Sequence, residues 1–399
     1  MNINNIKEKI KPIHPFAARM APEIAFDALK GLKKNATILD PMVGSGMVLR
    51  TVSEHGYNGI GFDIDPLAVL MSKAWTTPFN PEKIKLKAKE VLDKANELKL
   101  KSIYLPWIDE DNLTKSFINF WFGKKQINSL RKLSYIISNH QGHYNDLLKV
   151  AFSRLIITKI RGASLAMDVS HSRPHKVYEN NDFDVLNSFA NSCGILANIF
   201  EKQQPKGKIN IRLGDARNLK EVSDKSVSAI ITSPPYLNAL DYIRGHKLSL
   251  VWLGYKINEL SKVRSNSVGT ERAPDIKADL ELATELTTGI KHIEKLPARK
   301  QNMIKRYALD MYDVVEESTR VLEKNGKATF VVGNSCINGI FVENSLIVRN
   351  SCQMAGLRLL SQKEREIPQN KRYLPSPSYK NVSNFKSRMR TESVIRFSK

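Results

Sequence analysis

The chain has 399 residues, 42% of them hydrophobic, and its 62 Lys and Arg against 40 Asp and Glu give a net charge of +22. That length holds one large α/β domain with insertions, or two domains. Its longest apolar runs, such as Ile156-Ile157 and Phe330-Val331-Val332, are far too short for a membrane span. The N-terminus is polar, with no apolar leader, which predicts a cytoplasmic protein. Cys193, Cys336 and Cys352 are scattered and odd in number, so they make neither a disulfide framework nor a CxxC metal site. A positive excess of this size points to nucleic acid as the partner.

In chain order, residues 36–42 (ATILDPM) read as a short buried strand closed by Asp-Pro. Val43–Gly46 is a tight glycine turn, Met47–His55 a helix, and Gly59–Asp65 a second strand ending in acid, followed by a helix over Leu67–Trp75. This β-turn-α-β pattern belongs to a parallel sheet with right-handed crossovers. Asn80–Pro205 is long and mostly helical, with a polar, turn-rich patch at 161–174. Further strands are expected at Ile209–Ala216, Val227–Ser233 and, after a turn at Glu323–Gly326, at Lys327–Asn334. Tyr255–Lys305 is a second, highly charged interruption. Arg358–Ile367 and Glu392–Phe397 form a terminal antiparallel pair. Structureless loops as long as the two interruptions are implausible, so both are inserted lobes. The expected domains are a catalytic sheet domain of residues 1–79, 206–254 and 306–399, with insertions at 80–205 and 255–305.

Positive charge is concentrated. Lys115–Lys176 carries eleven Lys and Arg against Asp146 and Asp168, among Phe117, Phe120, Trp121, Phe122, Tyr135 and Tyr144. From Gly356 onward there are eleven basic residues against three Glu, with Tyr373 and Tyr379. Basic side chains mixed with stacking groups suit a nucleic-acid surface, although a solvated helix face has the same composition. Arg161, Arg173, Lys371, Arg372 and Tyr373 are the candidate nucleic-acid contacts, together with Asp241 and Tyr242.

Asp40-Pro41-Met42-Val43-Gly44-Ser45-Gly46 opens a helix at the carboxyl end of the first strand, where open α/β sheets bind ligands. Asp63, at the end of the second strand, is placed to accept both ribose hydroxyls of a nucleoside cofactor. A dinucleotide turn needs a third glycine, but Gly46 is followed by Met47-Val48-Leu49. The Asp-Pro lead and the lack of a basic group for a pyrophosphate favour S-adenosylmethionine, which carries no phosphate. Asp40 then faces its cationic methionyl end, and Asp215 accepts from the adenine amine. Ile230-Ile231-Thr232 runs into Ser233-Pro234-Pro235-Tyr236, a buried strand ending in a rigid extended turn. That turn presents a hydroxyl, a carbonyl and an aromatic face, a set able to grip a planar group bearing an amine.

In these segments the chain resembles the amino-methylating, S-adenosylmethionine-dependent DNA methyltransferases of restriction–modification type. His14-Pro15-Phe16-Ala17-Ala18-Arg19-Met20 looks like the family's N-terminal cofactor segment. Asp40–Gly46 is similar to its glycine motif, Asp63-Ile64 to its ribose acid and Asp215-Ala216 to its adenine contact. Thr232–Tyr236 resembles its catalytic motif in the serine form of the cytosine-N4 enzymes. Arg365-Glu366-Ile367-Pro368 with Arg372-Tyr373-Leu374-Pro375 looks like its loop near the extruded base. The resemblance implies a Rossmann-like α/β methyltransferase sheet, mostly parallel with an antiparallel C-terminal hairpin and helical insertions. It further implies S-adenosylmethionine as cofactor, His14, Phe16 and Arg19 near it, no metal, double-stranded DNA as substrate, and room for a cognate restriction endonuclease as partner. Carbon-5 cytosine methylation needs a Pro-Cys pair, and all three cysteines here follow Ser. Adenine-N6 methylation, RNA guanine-N2 methylation and a non-catalytic nucleic-acid-binding subunit are the alternatives to cytosine N4.

Overall fold

The computed structural model describes residues 10–16, 19–158, 161–167, 174–237, 241–269, 279–367 and 391–399. In chain order the elements begin with α1 (Pro22–Leu29), β1 (Thr37–Asp40), α2 (Met47–Glu54), β2 (Asn58–Asp63) and α3 (Pro66–Thr76). A helical stretch follows: α4 (Pro81–Glu97), α5 (Pro106–Asp109), α6 (Asn112–Trp121), α7 (Lys124–Ser138) and α8 (Asn145–Ser153). Then come β3 (Ala166–Met167), β4 (His175–Lys176), α9 (Val185–Lys202), β5 (Ile209–Leu213) and β6 (Val227–Thr232). α10 (Tyr242–Leu250), α11 (Ile257–Asn266), α12 (Leu280–Leu286), α13 (Ala298–Val321) and β7 (Leu322–Gly333) continue the chain. β8 (Ser335–Ile337), β9 (Ile340–Val342), α14 (Asn344–Met354), β10 (Arg358–Glu366) and β11 (Thr391–Ser398) complete it.

These divide into two compact units. The sheet unit comprises Ala18–Ile64, Gly207–Leu240 and Ser265–Lys399; the helical unit comprises Met1–Ala17, Asp65–Lys206 and Asp241–Arg264.

The sheet unit is built on seven strands in the order β10-β11-β7-β6-β1-β2-β5. β1, β2, β5, β6 and β7 run parallel, and β11 pairs antiparallel with both β7 and β10. β6 is apolar on both faces (Val227, Ala229, Ile230, Ile231), as a strand covered on both sides must be. One contiguous core joins Leu39, Phe62, Ile230, Met311, Phe330 and Phe397. The turn expected at 323–326 falls inside β7 as an irregularity: Val227 pairs with Leu322 and Ala229 with Lys327, so residues 323–326 leave the ladder register. Asn325 takes a left-handed φ of 64°, and its N–H donates to the Lys399 carbonyl at 3.2 Å. Lys399 N–H in turn donates to the Gly326 carbonyl at 3.1 Å. Pairing with a segment far along the chain thus anchors this turn within the strand.

The helical unit buries Trp75, Phe152, Phe189, Phe200 and Trp252, with Trp252 set edge-on to Phe122 at 5.2 Å. Its helices start where short polar side chains cap free N–H groups: Asp65 for α3, Asn80 for α4, Asp111 for α6, Asp184 for α9 and Asp241 for α10. Proline at the first position of α3 and α4 sharpens two of these starts. Among the described residues no helix is long and apolar enough to cross a membrane.

Candidate active site

β1 and β6 run side by side with Leu39 opposite Ile230, so their carboxyl ends release Asp40 and Thr232 together. Thr232 Oγ1 donates to Asp40 Oδ1 at 2.8 Å, and the Met42 N–H donates to the same oxygen at 3.2 Å. Asp40 is 1% exposed. Burial, opposed by those two hydrogen bonds and reinforced by the Asp63 charge, pushes its carboxyl up to about 7.

The glycine turn after Asp40 depends on its glycines. Gly44 and Gly46 have φ of 48° and 80°, a region that side chains rarely tolerate. The turn is tied to β2 twice: Val43 N–H donates to the Phe62 carbonyl at 2.9 Å, and Gly44 N–H donates to Asp63 Oδ2 at 2.8 Å. Asp63 therefore shapes the loop as well as facing whatever the loop holds. Gly61 lets α2 lie directly on β2, because a Cβ there would fall 2.4 Å from both Leu49 Cδ1 and Val43 Cγ1. Pro41 is buried, Ser45 Oγ accepts the Met47 N–H at 3.4 Å, and Ile64 is half-buried beyond Asp63.

Asp215 follows β5 on the same carboxyl side of the sheet. Its carboxylate is gripped by Arg217, whose Nε and Nη2 lie 3.0 and 2.7 Å from Oδ1 and Oδ2. Desolvation raises the Asp215 carboxyl, but its hydrogen bonds and charge contact with Arg217 outweigh it and leave a net downward shift. Arg217 Nη1 also donates to Asp310 at 2.6 Å and Nη2 to the Asn266 carbonyl at 2.8 Å. Ala216 is a core residue.

The Ser233–Tyr236 turn leaves β6 under several restraints. Ser233 Oγ donates to the Val331 carbonyl of β7 at 3.0 Å, which spends its only proton, and it also meets the Tyr236 side chain in a hydrogen bond. Tyr307 of α13, fully buried, donates its hydroxyl to the Pro235 carbonyl at 3.1 Å. Ser335 Oγ donates to the Leu237 carbonyl at 2.5 Å and itself accepts from Asn344 Nδ2 at 2.8 Å. Burial raises the Tyr236 phenol, with the Glu392 carboxylate adding to the rise while Ser233 and Arg365 oppose it. Arg365 pairs with Glu392 across the β10–β11 ladder at 3.0 Å. The sequence reading missed Tyr307, Ser335 and Asn344, which no local pattern marks, and Arg217, whose only signal is its place two residues after Asp215.

In the helical unit, Phe16 stacks on Tyr242 with centroids 5.0 Å apart and 12° between planes, and lies 5.5 Å from His246. His246 Nδ1 is 2.5 Å from Asp65 Oδ2. His14 Nδ1 lies 3.0 Å from the Pro15 carbonyl. Asp241 caps α10 and receives Arg264, whose Nε is 2.5 Å from Oδ2. Arg161 pairs with Asp182 at 2.5 Å and stacks its guanidinium over Tyr178, so its charge is already engaged. Arg19 lies half-buried ahead of α1 in the sheet unit. Arg173, Lys371, Arg372 and Tyr373 lie outside the described residues.

Numbered among themselves in chain order, the seven strands run 3-2-1-4-5-7-6 with strand 7 antiparallel, and the acid-tipped loops gather at the carboxyl ends of strands 1 to 3, beside the Ser233–Tyr236 turn after strand 4. That arrangement is the Rossmann-like methyltransferase sheet. No family model matches the chain. The chain is 24% identical over 438 aligned positions to the type II methyltransferase M.MvaI of Kocuria varians, covering 98% of this chain and 91% of that protein. It is 25% identical over 269 positions to the type II methyltransferase M.BsoBI of Geobacillus stearothermophilus, covering 59% of this chain and half of the relative. A solved S-adenosylmethionine-dependent methyltransferase from Methanosarcina mazei superposes with a TM-score of 0.33 and 8% identity, over 96% of this chain and 99% of that one. The chain is thus similar, over nearly its whole length, to a type II methyltransferase.

Proposed function

We propose that this chain transfers a methyl group from S-adenosylmethionine to the N4 amine of cytosine in DNA, on a base turned out of the duplex. The observation that carries the reading is the joint between Asp40 and Thr232. The 2.8 Å bond ties the loop suited to the cofactor to the turn suited to the amine, at the ends of adjacent parallel strands. The loop fits a cofactor without phosphates: it offers backbone at Gly44 and Gly46 and acids at Asp40 and Asp63, and residues 40–46 contain no basic side chain. Asp40 would hold the cationic methionyl end and Asp63 the ribose. Asp215 would reach the adenine amine only by sharing the carboxylate that Arg217 holds. When bound, S-adenosylmethionine supplies an electrophilic methyl on a sulfonium.

The protein's task is then to make a poor nucleophile attack. An exocyclic amine on cytosine has its lone pair delocalised into the ring. Ser233 Oγ, its proton spent on Val331, and the Pro234 carbonyl accept the two amine N–H groups. This favours pyramidal nitrogen and aims the lone pair, a gain of orientation rather than of acid–base chemistry. Tyr236 stacks on the base and helps offset an unstacking cost of a few kcal/mol. Its raised phenol stays protonated at neutral pH, so it does not serve as a base. None is required, since the alkylated amine is acidic and loses its proton to solvent. Cys193 and Cys352 fit no carbon-5 mechanism: the Cys193 thiol is pushed up to about 12 by burial, and Cys352 is fully buried in α14.

Serine at position 233, the form associated with cytosine-N4 enzymes in the resemblance above, supports cytosine over adenine. Mass spectrometry of nucleosides from DNA incubated with the protein and S-adenosylmethionine tests this. N4-methylcytosine is the expected product. N6-methyladenine would move the reading to adenine, and unmodified DNA would overturn it.

A further inference from the structure

The β8–β9 hairpin turns at Asn338 and Gly339, with φ of 49° and 82°, and Phe341 in β9, opposite Cys336, has 57% of its surface exposed. An aromatic ring that far out on a rigid hairpin buries little in the fold. Facing it, the segment between α12 and α13 presents Lys291, His292 and Lys295, all exposed. The two sides enclose a groove of about 500 Å³ lined by Gly289, Lys291, His292, Lys295, Gly339 and Phe341, with Glu343 also on its wall. His292 is 3.8 Å from Glu294, whereas Lys291 and Lys295 make no ion pair among the described residues.

The groove is tied to the Ser233–Tyr236 turn through one residue. Ser335, the first residue of β8, donates to the carbonyl of Leu237, next to Tyr236, and Asn344 at the start of α14 holds Ser335 in turn. Phe341 pairs with Cys336, the residue after that anchor, so its backbone lies about 6 Å from Ser335. That is the distance of the next nucleotide or two along a strand from the base in the turn. Ammonium groups on one wall and a flat ring on the other match an alternation of phosphates and planar faces.

We infer that this groove holds the DNA strand beside the target base, with phosphates on Lys291 and Lys295 and a base or sugar face on Phe341. The inference rests on the DNA methyltransferase reading and extends it to a surface that no motif marks. Glu343 opposes phosphate there, so its charge should weaken the contact.

The test is fluorescence anisotropy of a labelled 30-base-pair mixed-sequence duplex with the full chain, over about 50 to 200 mM salt. Lys291→Ala with Lys295→Ala should weaken binding roughly tenfold and flatten the slope of log K against log salt by about 1.8, or 0.9 per phosphate. Phe341→Ala should weaken binding while leaving the slope in place. Glu343→Gln should tighten binding, a direction that damage to the fold does not produce. Lys33→Ala with Lys34→Ala removes the same charge just ahead of β1, at the opposite end of the sheet. It should leave the slope nearly intact. An unchanged slope in the groove variant, or an equal change in the β1 variant, would overturn the inference. Methyl transfer by the unaltered protein is scored separately: its absence sinks the proposed function, whereas its presence with a silent groove sinks only the groove.

Discussion

If Asp40 meets the cationic end of the cofactor, cofactor affinity must be proton-linked. Its carboxyl is buried and pushed up to about 7 before anything binds, whereas the bound state needs it ionised. Below about pH 7 each bound cofactor must release close to one proton, so affinity falls about tenfold per pH unit. Between pH 8.5 and 5.5 the dissociation constant should rise roughly thirtyfold. Isothermal titration calorimetry in buffers of different ionisation enthalpy counts the released proton directly. Asp40→Asn should bind more weakly at pH 8 and with no pH dependence. The same burial acts on the unliganded fold. Because the folded value lies above an unfolded one near 3.9, the carboxyl favours the fold fully below about pH 4, and that stability is lost as pH rises to about 7. The loss is of order 4 kcal/mol, so Asp40→Asn should raise the melting temperature at pH 8. A cofactor affinity that stays flat from pH 5.5 to 8.5, or a slope that survives in Asp40→Asn, would refute the reasoning.

Ser233→Ala should lower kcat by about a hundredfold or more, the usual effect of losing a transition-state hydrogen-bond partner, with cofactor affinity in calorimetry within about twofold. Tyr307→Phe leaves the Pro235 carbonyl without its donor, a cost of about 1–3 kcal/mol. It should lower both the melting temperature and kcat, and a fall in melting temperature alone would make the bond purely structural. Gly61→Ala drives a methyl into Leu49 and Val43 and should cost about 1–3 kcal/mol, read from the urea midpoint. Replacing residues 80–205 by a relative's segment should change the methylated sequence, as mapped by sequencing of modified DNA; an unchanged target would rule that lobe out as the reader.

Much of the sheet unit was legible because its signals are local. Apolar runs ending in Asp-Pro or Pro-Pro, and glycines at 44 and 46, fix strand ends and turns within a few residues. The expected strand at 36–42 is β1 at Thr37–Asp40, and the terminal pair is β10 and β11. What escaped depends on partners distant in sequence. Tyr307 reaches back to Pro235, and Asn344 reaches Ser335 only because α14 folds against β7. The occupation of Asp215 by Arg217 was within two residues and still unread, since the same spacing serves equally well for a solvent-facing arginine.

The place of β11 has a consequence for how this protein comes to exist. It lies between β7 and β10, so the sheet cannot close until residues 391–398 have been made. Until then β7 is an open edge whose Phe330, Val331 and Val332 have no ladder on that side. An apolar edge of this kind invites pairing with another chain. The window of vulnerability during synthesis is therefore set by the time taken to reach β11, and expression yield should respond to chaperone supply and growth temperature.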